Sequence, residues 1–123
     1  MSEAVSGNGE DRARFPYLPL FVDDWLTSDA IDGFTVEQEG AYLRLLLRQW
    51  KSKTGMLPRD ERELARISRL GERWRELGKP IIDRCFVKRR FGLVNLRLRN
   101  EWERAEKRSA VNANAARKRW SRK

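Results

Sequence analysis

Two amphipathic segments separated by a short break constrain the fold of this chain more than any other feature. Residues 60–70 and 72–86 each carry apolar residues at helical spacing. A helix, a tight turn containing Gly71 and a second helix form the helix-turn-helix pattern. Pro80 removes one backbone hydrogen bond from the second helix, so we expect a bend or break near residues 78–80. The positions predicted to face inward are Leu64, Ala65, Ile67, Trp74, Leu77, Ile81, Cys85 and Phe86.

An alternating segment follows these helices. Val94, Leu96 and Leu98 alternate with polar residues after a turn that contains Gly92, which predicts a β-hairpin with one buried face. A hairpin placed directly after a helix-turn-helix is a wing. The predicted fold class is therefore mainly α with a small β-hairpin, in a winged helix-turn-helix-like single domain.

The strongest helix signal lies upstream, from Val36 to about Lys53. Thr35 and Gln38 have capping-box spacing at its start. Gly40 inside the helix costs about 1 kcal/mol relative to Ala, which predicts a close helix crossing there. Further upstream, residues 23–26 (Asp-Asp-Trp-Leu) predict a short helical turn. The expected apolar face of the long helix consists of Ala41, Leu43, Leu46, Leu47 and Trp50.

Positive charge is concentrated in the last seventeen residues, 107–123. They hold seven Lys or Arg and no Asp or Glu, whereas the rest of the chain has twenty basic and eighteen acidic residues. We therefore expect a disordered leader (residues 1–14), a winged-helix-like domain (15–106) and a basic C-terminal tail (107–123) with loose structure. Such a tail attracts polyanions, and Trp120 adds an aromatic face on which a base could stack.

Several classes of protein are disfavoured by the composition. The chain has no His and a single Cys, so the usual zinc and haem ligand sets and any intramolecular disulfide are missing. The spacing from Gly71 to Lys79 does not match a phosphate-binding loop, and Asp23 and Asp24 are assigned to a helix start rather than a metal. No apolar run could span a bilayer. We expect a cytoplasmic protein without enzymatic activity, cofactor, metal or membrane association.

Nucleic acid is the expected partner, and three groups of residues are candidates for contacting it. In the second helix of the motif, Arg73 and Arg75 would meet base edges if the helix entered a major groove. Acidic neighbours balance these cations, so a solvated helix face stays an open alternative. The predicted wing tip adds three consecutive cations, and the basic tail is the third group. The complete candidate set is Arg73, Arg75, Lys88, Arg89, Arg90, Lys107, Arg108, Arg117, Lys118, Arg119, Trp120, Arg122 and Lys123.

Two segments also resemble a known family. Residues 21–26 (Phe-Val-Asp-Asp-Trp-Leu) and 39–46 (Glu-Gly-Ala-Tyr-Leu-Arg-Leu-Leu), together with Arg119-Trp120, are similar to the YdaU-like domain-of-unknown-function family of prophage and bacterial proteins. The resemblance implies a role near phage or prophage DNA replication, because members resemble winged-helix N-terminal domains of replication initiators and helicase-loading proteins. The resemblance identifies no catalytic residues in this chain.

The sequence thus predicts a DNA-binding protein of phage or prophage type that serves replication initiation or its regulation. A protein-interaction module that binds a replicative helicase, a helicase loader or its own copy is the main alternative, and the near balance of charge in the body favours it. A small transcriptional regulator is the third reading. Duplex or single-strand preference and homo-oligomerisation stay open.

Overall fold

Helices dominate residues 12–121, the part of the chain that the computed structural model describes. Two short antiparallel strands form a hairpin, so the predicted class, mainly α with a small hairpin, is confirmed. Most of the predicted leader, residues 1–11, lies outside the described residues. The elements are α1 (Val22–Thr27), α2 (Val36–Lys51), α3 (Glu61–Ser68), a 3-10 turn (Gly71–Arg73), α4 (Trp74–Cys85), β1 (Val87–Arg89), β2 (Gly92–Val94) and α5 (Leu96–Ser121).

The predicted capping box opens α2. The Thr35 hydroxyl accepts a hydrogen bond from the Gln38 backbone N–H (3.0 Å), and the Gln38 side chain accepts one from the Thr35 N–H (2.9 Å). The buried face differs from the predicted one, because Leu47 is 48% exposed. Tyr42 and Gln49 take part instead, since each finds a polar partner inside. The buried residues of α2 are Gln38, Ala41, Tyr42, Leu45, Leu46, Gln49 and Trp50.

The helix glycine whose Cβ position is crowded is not the one predicted. The expected helix crossing at Gly40 is wrong, because a Cβ atom built there would meet nothing within 4 Å. At Gly78 in α4, by contrast, the Trp74 ring lies where a Cβ would be. Gly78 thus leaves room for the indole of Trp74 one helical turn earlier, and that indole belongs to the buried core.

The break between α3 and α4 falls where the sequence predicts it. Arg69 has a left-handed backbone (φ 68°), and so does Gly71 (φ 57°), which ends α3 and turns the chain into α4. The predicted break near Pro80 does not occur, since α4 continues through it. Pro80 removes a single hydrogen bond, and burial of the adjacent Ile81 and Ile82 offsets that loss.

The hairpin is shorter than the apolar alternation suggests. Val87 pairs with Val94 and Arg89 with Gly92, and Leu57 bonds to the other edge of β2 through Leu93. The predicted strand through Leu96 and Leu98 is wrong, because α5 already begins at Leu96. Asn95 causes the change: its side-chain oxygen accepts a hydrogen bond from the Leu98 N–H (3.0 Å), which is an N-cap interaction.

Helix α5 continues far beyond its packed part. Its buried side chains are Leu98, Trp102 and Ala105. Residues 107–121 are helical rather than loose, and nearly all of their side chains are exposed. At 1.5 Å per residue they extend the helix by about 22 Å. Residues 107–121 are called the projecting half of α5 below; Arg122 and Lys123 lie outside the described residues.

Helices α2, α3, α4 and α5 and strand β2 all contribute to the hydrophobic core. Leu45 from α2, Ile81 from α4 and Trp102 from α5 belong to one buried cluster, on which Trp25 of α1 also packs. Stacking of the Trp25 and Tyr42 rings, with centroids 5.3 Å apart, fixes α1 on α2. In the described part of the chain no helix is long and apolar enough to cross a membrane.

Candidate nucleic-acid interface

A groove of about 420 Å³ lies between α4, the start of α3 and the hairpin. Two of the predicted contact residues, Arg75 and Lys88, line it together. Two further cations line it as well, Arg59 from the loop before α3 and Lys79 from α4. These four cations and the space between them are called the cationic groove below. Its acidic lining residues are Glu61 and Asp83, and its apolar ones are Leu64, Trp74, Ile82 and Leu93.

Sequence reasoning placed neither Arg59 nor Lys79 in the site. Lys79 follows Arg75 by four residues, one helical turn, so helical spacing could have identified it. Arg59 had no such signal, because it reaches the groove only through the packing of the loop before α3 against the hairpin. There its guanidinium Nη1 lies 3.5 Å from the carbonyl oxygen of Arg90.

Arg73 is not part of the cationic groove. Its guanidinium bonds to both carboxylate oxygens of Glu37, in the first turn of α2. This ion pair ties the start of α4 to the start of α2. The structure therefore separates Arg73 and Arg75, which the sequence had grouped as base-contacting residues, and gives Arg73 a partner within the protein.

The hairpin tip combines cations with an aromatic ring. Lys88, Arg89 and Arg90 are all exposed. The Arg90 guanidinium lies 5.1 Å from the centroid of the Phe91 ring, and Phe91 is 77% exposed. Sequence reasoning missed Phe91, although its position directly after three cations was a visible signal. An exposed ring beside a guanidinium can stack on a base.

The cations of α5 lie on one helix face. Arg104, Lys107, Arg108, Lys118 and Arg119 fall within about 120° of one another around the axis, at 100° per residue. Arg104 is paired with Glu101 (3.1 Å). Within residues 12–121 the other four make no ion pair. These five residues are called the cationic face of α5.

Trp120 and Arg117 lie away from the cationic face. Arg117 donates to the side-chain oxygen of Asn114. Trp120 is 73% exposed and points to nearly the opposite side of the helix from Lys118. The basic cluster predicted for the tail is therefore divided by the helix into a cationic face and a separate aromatic position.

A family model with the description "Protein of unknown function (DUF1376)" matches residues 16–103. The chain belongs to this family. The DUF1376 match includes the whole cationic groove and the hairpin tip, whereas the projecting half of α5 lies beyond it. No curated protein and no solved structure gives a significant match to the chain.

The buried polar groups of this DUF1376 chain hold the fold together. Asn95 donates from its side-chain amide to the Tyr42 hydroxyl (3.0 Å) and to the Cys85 carbonyl (2.8 Å). Burial raises the pKa of the Cys85 thiol, so it is protonated at neutral pH. In residues 12–121 no three His, Cys, Asp or Glu side chains are grouped so that they could hold a metal ion.

The two aspartates singled out in the sequence lie at the start of α1. Asp23 and Asp24 lie in the first turn of α1, where negative charge favours the helix dipole. Asp24 forms an ion pair with Arg97 of α5, and the backbone carbonyl of Asp23 accepts from the Thr27 hydroxyl (2.7 Å). Asp24 thus helps to hold α1 against α5, whereas the Asp23 contact lies within α1 itself.

Proposed function

We propose that this DUF1376 protein binds nucleic acid, with the cationic groove as the docking site and the cationic face of α5 as a second contact surface. Convergence of cations in the groove carries the proposal. Arg59, Arg75, Lys79 and Lys88 come from a loop, a helix and a strand, and two carboxylates share the groove with them. The remaining positive charge makes the groove a favourable place for phosphates.

The arrangement of α3, α4 and the hairpin supports a winged-helix mode of binding. Arg75 and Lys79 are one turn apart on α4, so they can both reach a nucleic-acid surface laid along the groove. Beside them the hairpin presents Arg89, Arg90 and Phe91, which would act as the wing. Phosphate contacts would come from the cations, and Phe91 would stack or wedge against a base.

The cationic face of α5 adds affinity that does not depend on base sequence. Lys107, Arg108, Lys118 and Arg119 span about 18 Å of helix at 1.5 Å per residue. Phosphates repeat at about 3.4 Å along one strand of duplex DNA. Four cations at that length can follow part of a backbone, and each neutralised phosphate adds to the salt dependence of binding.

The process we propose is replication initiation of phage or prophage type, or its regulation, in the cytoplasm and without enzymatic activity. The similarity of residues 21–26 and 39–46 to the YdaU-like proteins supports this choice. Binding of duplex or single-stranded DNA would suit the role, and a helicase or helicase loader is the protein partner that it implies.

A protein-interaction module is the second candidate, and one observation favours it. Large exposed apolar side chains are concentrated in the segment that leads into and through α1. Exposed apolar patches on a folded chain mark contact surfaces for other proteins. A helicase or loader could bind there while the cationic groove holds DNA. The residues concerned are Tyr17, Leu20, Phe21, Val22 and Leu26.

Salt-dependent DNA binding tests the proposal. Anisotropy of labelled duplex and single-stranded oligonucleotides, measured from 50 to 400 mM NaCl, should give a log–log slope of roughly −5 to −7 on duplex if six to eight phosphates are neutralised. The double variant K79A/K88A removes two groove cations and should lower affinity by about tenfold or more at 100 mM NaCl, with a slope smaller by about 2.

A matched control is K51A/K53A, which removes two exposed lysines at the end of α2. It should change affinity by less than about threefold, because the net charge falls equally but the groove is intact. Equal losses in the two variants would show that binding depends on net charge alone. Absence of salt-dependent binding by the unmodified protein would leave the protein-interaction module as the better candidate.

A further inference from the structure

The turn of the β-hairpin presents an aromatic ring outside the hydrophobic core. Arg90 and Phe91 are the two residues that join β1 to β2, and they are called the hairpin turn below. Phe91 is 77% exposed. The Arg90 guanidinium lies over its ring, 5.1 Å from the centroid, so a positive charge accompanies the ring at the surface. Most of the ring is therefore open to a ligand.

The backbone next to the hairpin turn is anchored to the body. Leu93, two residues after Phe91, is 2% exposed and pairs with Leu57 through two backbone hydrogen bonds (2.8 and 2.9 Å). At Gly92, directly after the ring, a Cβ atom would lie 2.5 Å from the Leu57 carbonyl oxygen. Strand β2 therefore packs against residues 56–57 from its first residue. Phe91 is held close to the body and does not end a long arm.

The hairpin turn adjoins the cationic groove. Lys88 from β1 and Leu93 from β2 line that groove, and Arg59 lines it as well. The Arg59 Nη1 atom lies 3.5 Å from the carbonyl oxygen of Arg90, within the turn. A nucleic acid whose phosphates contact Arg59 and Lys88 therefore lies beside Phe91. The groove and the ring form one continuous surface.

Charge around the hairpin favours a polyanion over an apolar protein partner. Residues 84–100 hold six Lys or Arg and no Asp or Glu. The two of these cations that belong to α5 form ion pairs. The three in residues 88–90 form none within residues 12–121. The carboxylates of the groove, Glu61 and Asp83, belong to α3 and α4 rather than to the hairpin. An exposed ring among cations suits a strand whose bases are unpaired.

A base offers its face to a ring only where it is not stacked between neighbours. Inside a duplex the bases present their edges in the grooves, and extruding one has a cost that is smallest at an unpaired position. We infer that the cationic groove and the hairpin turn bind a junction between double- and single-stranded DNA. Duplex phosphates contact the groove cations, and the first unpaired base stacks on Phe91. This inference rests on the proposed function and names its ligand.

Two labelled DNA probes with equal numbers of phosphates test the inference by anisotropy. The first is a fork, a duplex with two unpaired arms at one end and an ethylene-glycol linker closing the other. The second is a longer duplex closed by such linkers at both ends, so that no base face is open. The full chain should bind the fork at least about fivefold more tightly at 100 mM NaCl, because stacking of one base on an aromatic ring contributes roughly that factor or more.

Substitutions at Phe91 separate stacking from apolar contact. Phe91→Ala should abolish the preference for the fork, with affinity for the closed duplex changed by less than about twofold, since every groove cation remains. Phe91→Leu keeps an apolar side chain without a ring and should behave like Phe91→Ala. Phe91→Trp should retain the preference. Because the side chain is exposed, circular dichroism should show all three variants folded.

Photocrosslinking locates the stacked base directly. A fork with 5-iododeoxyuridine at the first unpaired position should crosslink, on irradiation, to the peptide that contains Phe91. The same base placed inside the duplex should not crosslink to that peptide. Mass spectrometry of the digested complex identifies the site, and a crosslink confined to other peptides would overturn the inference.

The binding data distinguish failure of this inference from failure of the proposed function. Equal affinity for the fork and the closed duplex would overturn the junction while DNA binding stands. A fork preference that Phe91→Leu retains would overturn stacking, and so would a preference that Phe91→Ala retains. Vesicles containing phosphatidylglycerol serve as an alternative polyanion, and a Phe91-dependent affinity for them alone would assign the ring to lipid. Absence of binding to either DNA probe would overturn both proposals.

Discussion

The side chain of Gln49 and the backbone of Asn95 are joined by two hydrogen bonds. The Gln49 amide donates to the Asn95 carbonyl (3.1 Å), and the Asn95 N–H donates to the Gln49 side-chain oxygen (2.8 Å). Gln49 is only 2% exposed. This pair fixes the residue between β2 and α5 against α2, so it sets the direction in which α5 leaves the body.

Replacing Gln49 with Met should therefore be costly. The two side chains have similar length, but Met leaves the Asn95 N–H and carbonyl without their partner. Each partly buried backbone group left unsatisfied costs about 1–3 kcal/mol, so we expect a loss of about 2–4 kcal/mol in the free energy of unfolding. Urea unfolding monitored by circular dichroism measures this loss. Lys51→Met on the exposed end of α2 is the control, and an equal loss there would contradict the assignment.

Two glycines in helix interiors should respond oppositely to Ala. At Gly40 an added Cβ meets nothing within 4 Å, so Gly40→Ala should stabilise the protein by about 0.5–1 kcal/mol through helix propensity. At Gly78 the added methyl would collide with the Trp74 ring, so Gly78→Ala should destabilise it by about 1–3 kcal/mol despite the same propensity gain. Thermal and urea unfolding of both variants gives the sign of the change in the free energy of unfolding. Stabilisation by Gly78→Ala would contradict the packing of Trp74.

Local signals in the sequence are sufficient to predict where several helices begin and where the chain breaks between them. The Thr35–Gln38 capping box and the turn at Gly71 depend on neighbouring residues only, and both are confirmed. Alternation fails at residues 94–98, because the Asn95 side chain accepts from the Leu98 N–H in the first turn of a helix, and this local preference outweighs a period-two pattern of apolar residues. Leu47 is misplaced because Tyr42 and Gln49 are buried with a polar partner, Asn95, that no local pattern shows.

The candidate site was predictable only in part, for the same reason. Arg75 and Lys88 were identified from charge, and the fold brings them to one groove. Arg59 joins them through tertiary packing, which the sequence does not encode locally. The engagement of Arg73 by Glu37 is likewise a contact between distant segments. The helix through residue 121 then separates Trp120 from the cations with which it was grouped.

Stability should fall at alkaline pH through Cys85. Burial raises the pKa of its thiol in the folded protein, while the unfolded thiol ionises near its ordinary value of about 8.5. The folded state then binds more protons, so the free energy of unfolding declines as pH rises from about 8.5 toward the folded pKa. Urea unfolding at pH 7.5 and 9.5 should show a smaller decline in Cys85→Ala than in the unmodified protein.

Thiol chemistry gives an independent measure of the same effect. At pH 8.5 iodoacetamide should modify Cys85 more slowly in the folded protein than in urea, because less thiolate is present and the side chain is partly covered. Equal rates in the two states, together with an unchanged pH dependence in Cys85→Ala, would contradict a raised pKa for this thiol.

Arg73 and Arg75 offer the sharpest test of the cationic groove, since they are close in sequence and identical in type but only Arg75 lines the groove. Arg73→Ala breaks an exposed ion pair with Glu37 and should cost stability by about 0–1 kcal/mol, with DNA affinity changed by less than about twofold. Arg75→Ala should leave stability nearly unchanged, weaken DNA binding severalfold and lower the salt slope by about 1.

Both quantities are needed for each variant: the free energy of unfolding from urea titration, and the affinity for a labelled duplex from anisotropy at several salt concentrations. The proposed docking along α4 requires the two variants to separate, one in stability and the other in affinity. If Arg73→Ala weakened binding as much as Arg75→Ala, DNA would have to displace Glu37 from Arg73. The contact surface would then extend past the start of α4 toward α2, away from the hairpin.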